Sequence, residues 1–491
     1  KFKPIPMDTE SFDFFEMSEK KDEGWNIYGV RLDGKKPEIG IPEKLLNQQL
    51  DYSQPLPDPD LKNGKTVIYG RILGYDPTHG IALKFNCTDW LFFDVFGQSV
   101  PVVEDGSFRY ETNMMLPGEA TLRVGRKRFE LFLMPGGKLE VTINLPEIFW
   151  SESHLFGKKE NGQLIWFEGT YAALNTELVK HAGLMNIYSA DNFYENICGV
   201  TPAQYKKYVT KIYEKNRGEI LKNKSLSDAA RTYMINKLEM SYFFAIRGYK
   251  GNISYAPMIS GKKGVKRADM TVDESYYDDI LELDFIHSPY IRYGSYPDFV
   301  RAATEDFKGK FEPQPVWEDI LRAKPLGSTL ARLKPLSEKQ MLTLDSISEP
   351  EIKKALTVKN KEVMDLLAES ANKTGYTVCQ LDTAVTADGL LAVVTRPYRG
   401  KVVLIDMWNT WCGPCMRAMN SLKSVKEELK DVVYVYIADE SSPEGKWKIT
   451  IPDIHGIHYR ITNEQSSALG KLYEYPGIPT YFVIDREGKL S

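Results

Sequence analysis

Two cysteines separated by two residues, in Trp411-Cys412-Gly413-Pro414-Cys415, stand where a buried-strand pattern hands over to a helical one. No other feature limits the possible folds of this chain as sharply. Lys401 to Trp408 (KVVLIDMW) is a short apolar run of the kind that forms an interior strand. Asn409 and Thr410 break it, and Met416, Met419, Leu422 and Val425 then recur at helical spacing. At a helix N-terminus the unpaired N–H groups and the macrodipole favour negative charge, which lowers a Cys-X-X-Cys thiol toward about 7. Cys412 is read as an exposed, nucleophilic thiolate, and Cys415, one turn on and more buried, as the resolving thiol.

Zinc sites use the same spacing, but a structural zinc needs four ligands, usually from a second Cys or His pair. The chain has no second C-x-x-C, and His455-x-x-His458, in what reads as a loop, is the only candidate partner. No metal is expected, and the two histidines are read as solvated loop residues without an assigned role.

The run Asp406 to Cys415 (DMWNTWCGPC) resembles the active-site segment of thioredoxins. The resemblance implies an α/β thioredoxin-like fold and a role for each matching residue. Asp406 would be the buried carboxylate that helps deprotonate Cys415, a role suited to a carboxyl whose pKa is raised by burial. Trp411 would flank the nucleophile. Ile478-Pro479-Thr480 would form the loop whose cis-proline faces the disulfide and whose backbone binds an extended substrate peptide, a cis bond being plausible because residue 479 is proline. No dissolved cofactor is implied, only the redox-active Cys412/Cys415 pair.

Glu440 to Asn463 forms an extra segment between Cys415 and Pro479, which resembles the TlpA-like relatives of thioredoxin exported by bacteria. Tyr376 to Pro397 is read as an added hairpin with Asp388-Gly389 at its turn, again similar to that subgroup. Many TlpA-like proteins carry another polar residue where this chain has Asp406, a difference that implies a more reducing pair. Thr480 to Asp485 reads as a strand and Arg486 to Lys489 as its turn. A thioredoxin domain would continue with a partner strand and a closing helix, so the natural protein is expected to extend beyond Ser491.

Length alone, 491 residues, suggests about three domains. Residues 1–62 read as a lead-in segment with some β-structure, including Trp25 to Leu32, and several prolines. Residues 63–150 read as an all-β sandwich domain. Its short runs are Thr66 to Leu73, Ile81 to Phe85, Trp90 to Phe96, Ser107 to Thr112, Ala120 to Val124, Phe129 to Leu133 and Leu139 to Ile143. They are punctuated by Asp105-Gly106, Pro117-Gly118 and Pro135-Gly136-Gly137. Residues 151–370 read as an α-helical domain. In it Thr201-Pro202 and Ser337 to Gln340 resemble helix starts, and Met234, Ile235, Leu238, Tyr242 and Phe243 form a stripe that must be buried. Residues 371–491 form the thioredoxin-like part. The multidomain order, β then α then thioredoxin-like, is similar to exported bacterial TlpA-like disulfide reductases.

A net charge of −4 excludes a global field for nucleic acid, and the basic stretch Gly261 to Arg267 reads as a solvated loop. Cys87, Cys198 and Cys379 are scattered and odd in number, so they are expected as free thiols rather than a disulfide framework. No apolar run approaches the roughly 18 residues of a membrane span. The sequence opens on Lys1 without an initiator Met or a signal peptide, which is read as fitting a trimmed, exported chain; a periplasmic or cell-envelope location, with a lipid anchor upstream, is the expectation.

The expected function is thiol:disulfide oxidoreduction, reducing disulfides of exported proteins by dithiol/disulfide exchange at Cys412 and Cys415, with a membrane thiol protein as electron donor. The rival is an envelope binding or scaffold protein, whose N-terminal domains hold an envelope partner and whose thioredoxin-like end is a docking module. Retention of both cysteines, Asp406 and Pro479 counts against the rival.

Overall fold

The computed structural model describes residues 39–77, 81–87, 90–92, 98–125, 127–152, 162–265, 269–283 and 293–491, with two strands at 11–15 and 26–31. The chain divides into two compact units, Lys1–Leu321 and Arg322–Ser491.

The first unit opens with an antiparallel pair, β1 (Ser11–Phe15) and β2 (Asn26–Arg31). Eight further strands follow: β3 (Gly64–Leu73), β4 (Leu83–Cys87), β5 (Gln98–Val100), β6 (Ser107–Met114), β7 (Gly118–Val124), β8 (Lys127–Leu133), β9 (Lys138–Asn144) and β10 (Ile165–Gly169). They form two four-stranded sheets, ordered β10-β9-β3-β6 and β5-β4-β7-β8. Alternation explains the pairing: in β6, Phe108 and Tyr110 are buried while Arg109 and Glu111 face water. The apolar faces of both sheets share one core, in which Phe85 of β4 stacks on Tyr110 of β6 at 5.1 Å between ring centroids. The run expected as a strand at Trp90 to Phe96 is irregular at 90–92, and 93–96 lie outside the described residues.

Helices dominate from Ala172 onward. Thr201 caps the helix Pro202–Lys222 in a reciprocal capping box with Gln204. The helix Asp228–Arg247 buries Met234, Leu238, Tyr242 and Phe243 of the expected stripe. Its Lys237 reaches the sheet, placing Nζ 2.5 Å from both Glu119 of β7 and Glu130 of β8.

In the second unit, five strands form one sheet, ordered β11 (Tyr376–Cys379), β14 (Gly456–Ile461), β13 (Val433–Asp439), β12 (Val403–Met407) and β15 (Thr480–Ile484). All neighbours are parallel except β15, which runs antiparallel to β12. One face packs Val403, Ile405, Met407, Val435 and Ile437 against Leu390, Leu391, Val394 and Leu469 of two helices, Ala387–Thr395 and Asn463–Leu472. The opposite face packs Trp408, Tyr436 and Ala438 against Cys415 and Met419 of the helix Gly413–Glu428, together with Trp447, Ile451 and Ile454.

Two expectations change here. Asp388 and Gly389 lie inside the helix Ala387–Thr395 rather than at a hairpin turn, because burial of Leu390, Leu391 and Val394 at helical spacing outweighs the local turn preference. β11 consequently pairs with β14 instead of a hairpin partner. Likewise Glu440 to Asn463 contains the helix Glu444–Thr450 and strand β14, so His458 is a buried strand residue and not a loop residue.

The helix Glu444–Thr450 packs on the helix Pro350–Ala371 of the same unit. A Cβ at Gly445 would stand 1.9 Å from the Leu333 carbonyl oxygen, and Leu333 itself holds a left-handed φ of 56°. The obstacle is backbone and cannot swing aside. Gly445→Ala is therefore expected to destabilise this unit by about 2 kcal/mol or more, read as a lower urea midpoint. An unchanged midpoint would show that the contact yields freely.

Candidate functional site

The site forms where β12 ends. Met407 and Trp408 are the last buried residues of that strand and its exit, and the buried Asn409 then turns the chain into the helix Gly413–Glu428. Cys412 is the N-cap: its Sγ accepts the Cys415 N–H at 3.1 Å, satisfying one of the unpaired donors of the first turn. Pro414 costs nothing at this position, since its missing N–H would have had no helical partner. Cys412 and Cys415 are joined by a disulfide with Cα atoms 5.3 Å apart.

Cys412 differs from its expected exposure. In the oxidised pair the residue is only 3% exposed, close to Cys415, which is fully buried. The loop ahead of β15 covers it, with the Ile478 carbonyl oxygen 3.8 Å from Cys412 Sγ. The Ile478–Pro479 peptide is cis. Thr480 begins β15 and donates its hydroxyl to the Gly477 carbonyl at 2.6 Å, within the same turn. Trp411 is half-exposed at 51%, and its indole N–H donates to Ser441 Oγ at 2.9 Å.

Asp406 lies on the cysteine side of the sheet. Its register places it between Tyr436 of β13 and Tyr481 of β15. It shares that face with Trp408, two residues on, and both Trp408 and Tyr436 belong to the cluster that contains Cys415. The carboxyl is buried, and neither oxygen has a hydrogen-bond partner. Burial pushes its pKa up to about 7, against a smaller opposing pull from the Lys426 ammonium.

Lys426 comes from the last turn of the cysteine-bearing helix. Its Nζ donates to the His455 carbonyl at 2.9 Å and lies 4.8 and 4.7 Å from the ring centroids of Tyr434 and Tyr436. Burial lowers it to about 8, although the Asp406 charge acts the other way. His458 stacks on Tyr436 at 5.1 Å between centroids. Its Nε2 is 2.7 Å from the Ile454 carbonyl, which can only accept, so Nε2 carries the proton. Burial lowers His458 to about 4, so the imidazole is neutral near pH 7.

The seven residues singled out in the sequence thus fall around one point: Cys412, Cys415, Trp411, Ile478, Pro479 and Thr480 at the end of the sheet, and Asp406 beneath. Sequence reasoning missed Lys426, Tyr436 and Ser441. Lys426 looked like any last-turn lysine, and only tertiary packing brings it under the sheet. Among the described residues no group of three or more His, Cys, Asp and Glu side chains could hold a metal ion. No helix there is long and apolar enough to cross a membrane.

The C-terminal part of the chain is similar in sequence to known proteins. Residues 400–490 match a family model described as thioredoxin-like. Thiol-disulfide oxidoreductase ResA of Geobacillus kaustophilus is 28% identical over 98 residues, which span 19% of this chain and 54% of the relative. Thioredoxin-like protein YneN of Bacillus subtilis is 26% identical over 95 residues, spanning 19% and 55%. The chain thus spans about half the length of the curated relatives it matches. Among solved structures, the thioredoxin domain of a thiol-disulfide oxidoreductase from Bacteroides vulgatus is 20% identical. That match covers 19% of this chain and 70% of the other, with a TM-score of 0.18. The C-terminal part of the chain carries a thioredoxin-like domain related to thiol-disulfide oxidoreductase ResA and to thioredoxin-like protein YneN.

Proposed function

We propose that this chain is a TlpA-like thiol:disulfide oxidoreductase that reduces disulfides of exported proteins through Cys412 and Cys415. The observation that carries the reading is the cysteine pair itself. Cys412 Sγ receives the Cys415 N–H at a helix N-terminus, opposite the Ile478–Pro479 turn and above a buried carboxyl without a hydrogen-bond partner.

In the reduced enzyme, the Cys412 thiolate attacks one sulfur of a substrate disulfide. The substrate S–S bond breaks, a Cys412–substrate disulfide forms, and the other substrate sulfur leaves as a thiolate that takes up a proton. Cys415, losing its proton to Asp406, then attacks Cys412 Sγ. The Cys412–Cys415 disulfide forms and the second substrate sulfur leaves. Two electrons have passed to substrate. A membrane thiol protein on the same side of the membrane would return them by the reverse exchange. Ile478, Pro479 and Thr480 would present backbone to an extended substrate segment, and Trp411 would bound it on the other side.

The proposed location is the periplasm or cell envelope, with lipid anchoring, and the first unit would hold an envelope partner. The helix-bearing insertion Glu440 to Asn463, as in TlpA-like proteins, supports this subtype. Direction is testable by equilibrating the pair in defined thiol buffers. A potential near about −270 mV, the thioredoxin end of the scale, supports reduction, whereas one near about −120 mV would assign oxidation instead.

A further inference from the structure

We propose that Ser441 is a positioning residue for substrate binding, fixing the indole of Trp411 as a rigid wall beside Cys412. This rests on the oxidoreductase reading and deepens it. Trp411, which directly precedes Cys412, is a large aromatic that faces solvent, 51% exposed. Its orientation depends on the bond from Nε1 to Ser441 Oγ at 2.9 Å.

A lone serine on a surface loop would be a poor anchor, because its hydroxyl turns freely and water competes for it. Ser441 is not free to turn. Its hydroxyl donates to Asp439 Oδ1, and its backbone N–H donates to the same oxygen at 2.9 Å. That leaves the oxygen lone pairs as acceptors for the indole. Asp439 is fixed in turn: Ser466 donates to its second oxygen at 2.8 Å, and its own N–H donates to Asn409 Oδ1 at 3.1 Å.

The same Asn409 oxygen accepts from the buried Ser442 hydroxyl at 2.7 Å, and Ser442 Oγ accepts the Thr410 N–H at 3.0 Å. Both ends of the loop 409–411 are thus tied to the loop 439–442. Burial acting alone would raise the Asp439 carboxyl; these hydrogen bonds outweigh it and hold the group below the usual carboxylate range. The anchor therefore stays charged at neutral pH. A preordered aromatic wall reduces the ordering cost that a docking peptide would otherwise meet.

The test is insulin reduction by the full chain, comparing wild type, Ser441→Ala and Ser441→Thr. Ser441→Ala should raise KM by about three- to tenfold with kcat within about twofold, the signature of lost binding without lost chemistry. Ser441→Thr, which keeps the hydroxyl, should restore KM. Acrylamide quenching of the Trp411 fluorescence, isolated by subtracting Trp411→Phe versions, should increase in Ser441→Ala. An unchanged KM, or no rescue by threonine, would overturn the proposal. If the wild-type chain reduces no insulin, the oxidoreductase reading fails by itself, and the quenching still decides whether Ser441 holds the indole: unchanged quenching overturns it.

Discussion

Cys412→Ser should remove insulin reduction, lowering the rate by more than about a thousandfold to the level of uncatalysed exchange, because the remaining thiol of the pair, Cys415, is fully buried away from substrate. Cys415→Ser should stop the reaction one step later. Attack by Cys412 would still proceed, but a serine hydroxyl cannot break the mixed disulfide, so the substrate stays covalently bound. Intact-mass analysis should then find the enzyme plus substrate as one species, separated by dithiothreitol. The two variants test different claims. Equal rates for wild type and Cys412→Ser would sink the catalytic reading and leave a docking module standing. Trapping by Cys412→Ser in place of Cys415→Ser would exchange the two roles.

The geometry argues for the order given. Cys415 is fully buried inside the second cluster of the C-terminal unit, with Met419 and Trp408 around it, whereas Cys412 borders the Ile478 turn and the exposed Trp411. In the proposed reaction a substrate sulfur would approach Cys412 between those two features. The low exposure of Cys412 itself means that attack is confined to a narrow direction, which suits an extended peptide better than a bulky folded surface.

Local patterns account for what the sequence made legible. The strand from Val403, its break at Asn409 and the helix from Gly413 each rest on a few adjacent residues, and the cysteines mark the junction. Pro479 could be placed by resemblance because the loop is short and its proline is unmistakable. Asp388-Gly389 misled for a physical reason. Such a pair favours turns, and a glycine inside a helix costs about 1 kcal/mol relative to alanine. Burying Leu390, Leu391 and Val394 against the sheet returns more than that. His458 was misplaced because its insertion lacks a long apolar run, yet Gly456–Ile461 has sheet neighbours on both sides, β11 and β13. Lys426 and Ser441 were invisible for a different reason. Their partners lie on other elements, and neither the lysine nor the serine stands in a pattern that distinguishes it from a surface residue.

Asp406→Asn should be more stable than wild type above pH 7 and slower in the resolving step. The wild-type carboxyl is held at about 7 in the folded chain, against 3.8 when unperturbed. Below about pH 4 both folded and unfolded forms carry the proton, and the buried neutral acid costs no charge. Between pH 4 and 7 the unfolded form loses its proton while the folded form keeps it, so wild-type stability falls as pH rises. Above 7 the loss is complete and amounts to at most about 4 kcal/mol. Asparagine has no proton to lose and escapes this penalty. Denaturant midpoints of the two proteins should therefore diverge from pH 4 to 7, with the titration of His458 cancelling in the comparison. Activity should move the opposite way. A positioned base contributes about 10²–10⁴-fold, so release of reduced substrate should slow by at least about tenfold in the variant and lose the rise expected of wild type near pH 7. A variant that kept this rise would assign it to another group, with Lys426, held at about 8, the next candidate. Equal stability of the two proteins at pH 8 would mean that the Asp406 carboxyl is hydrated in solution and not available as a buried base.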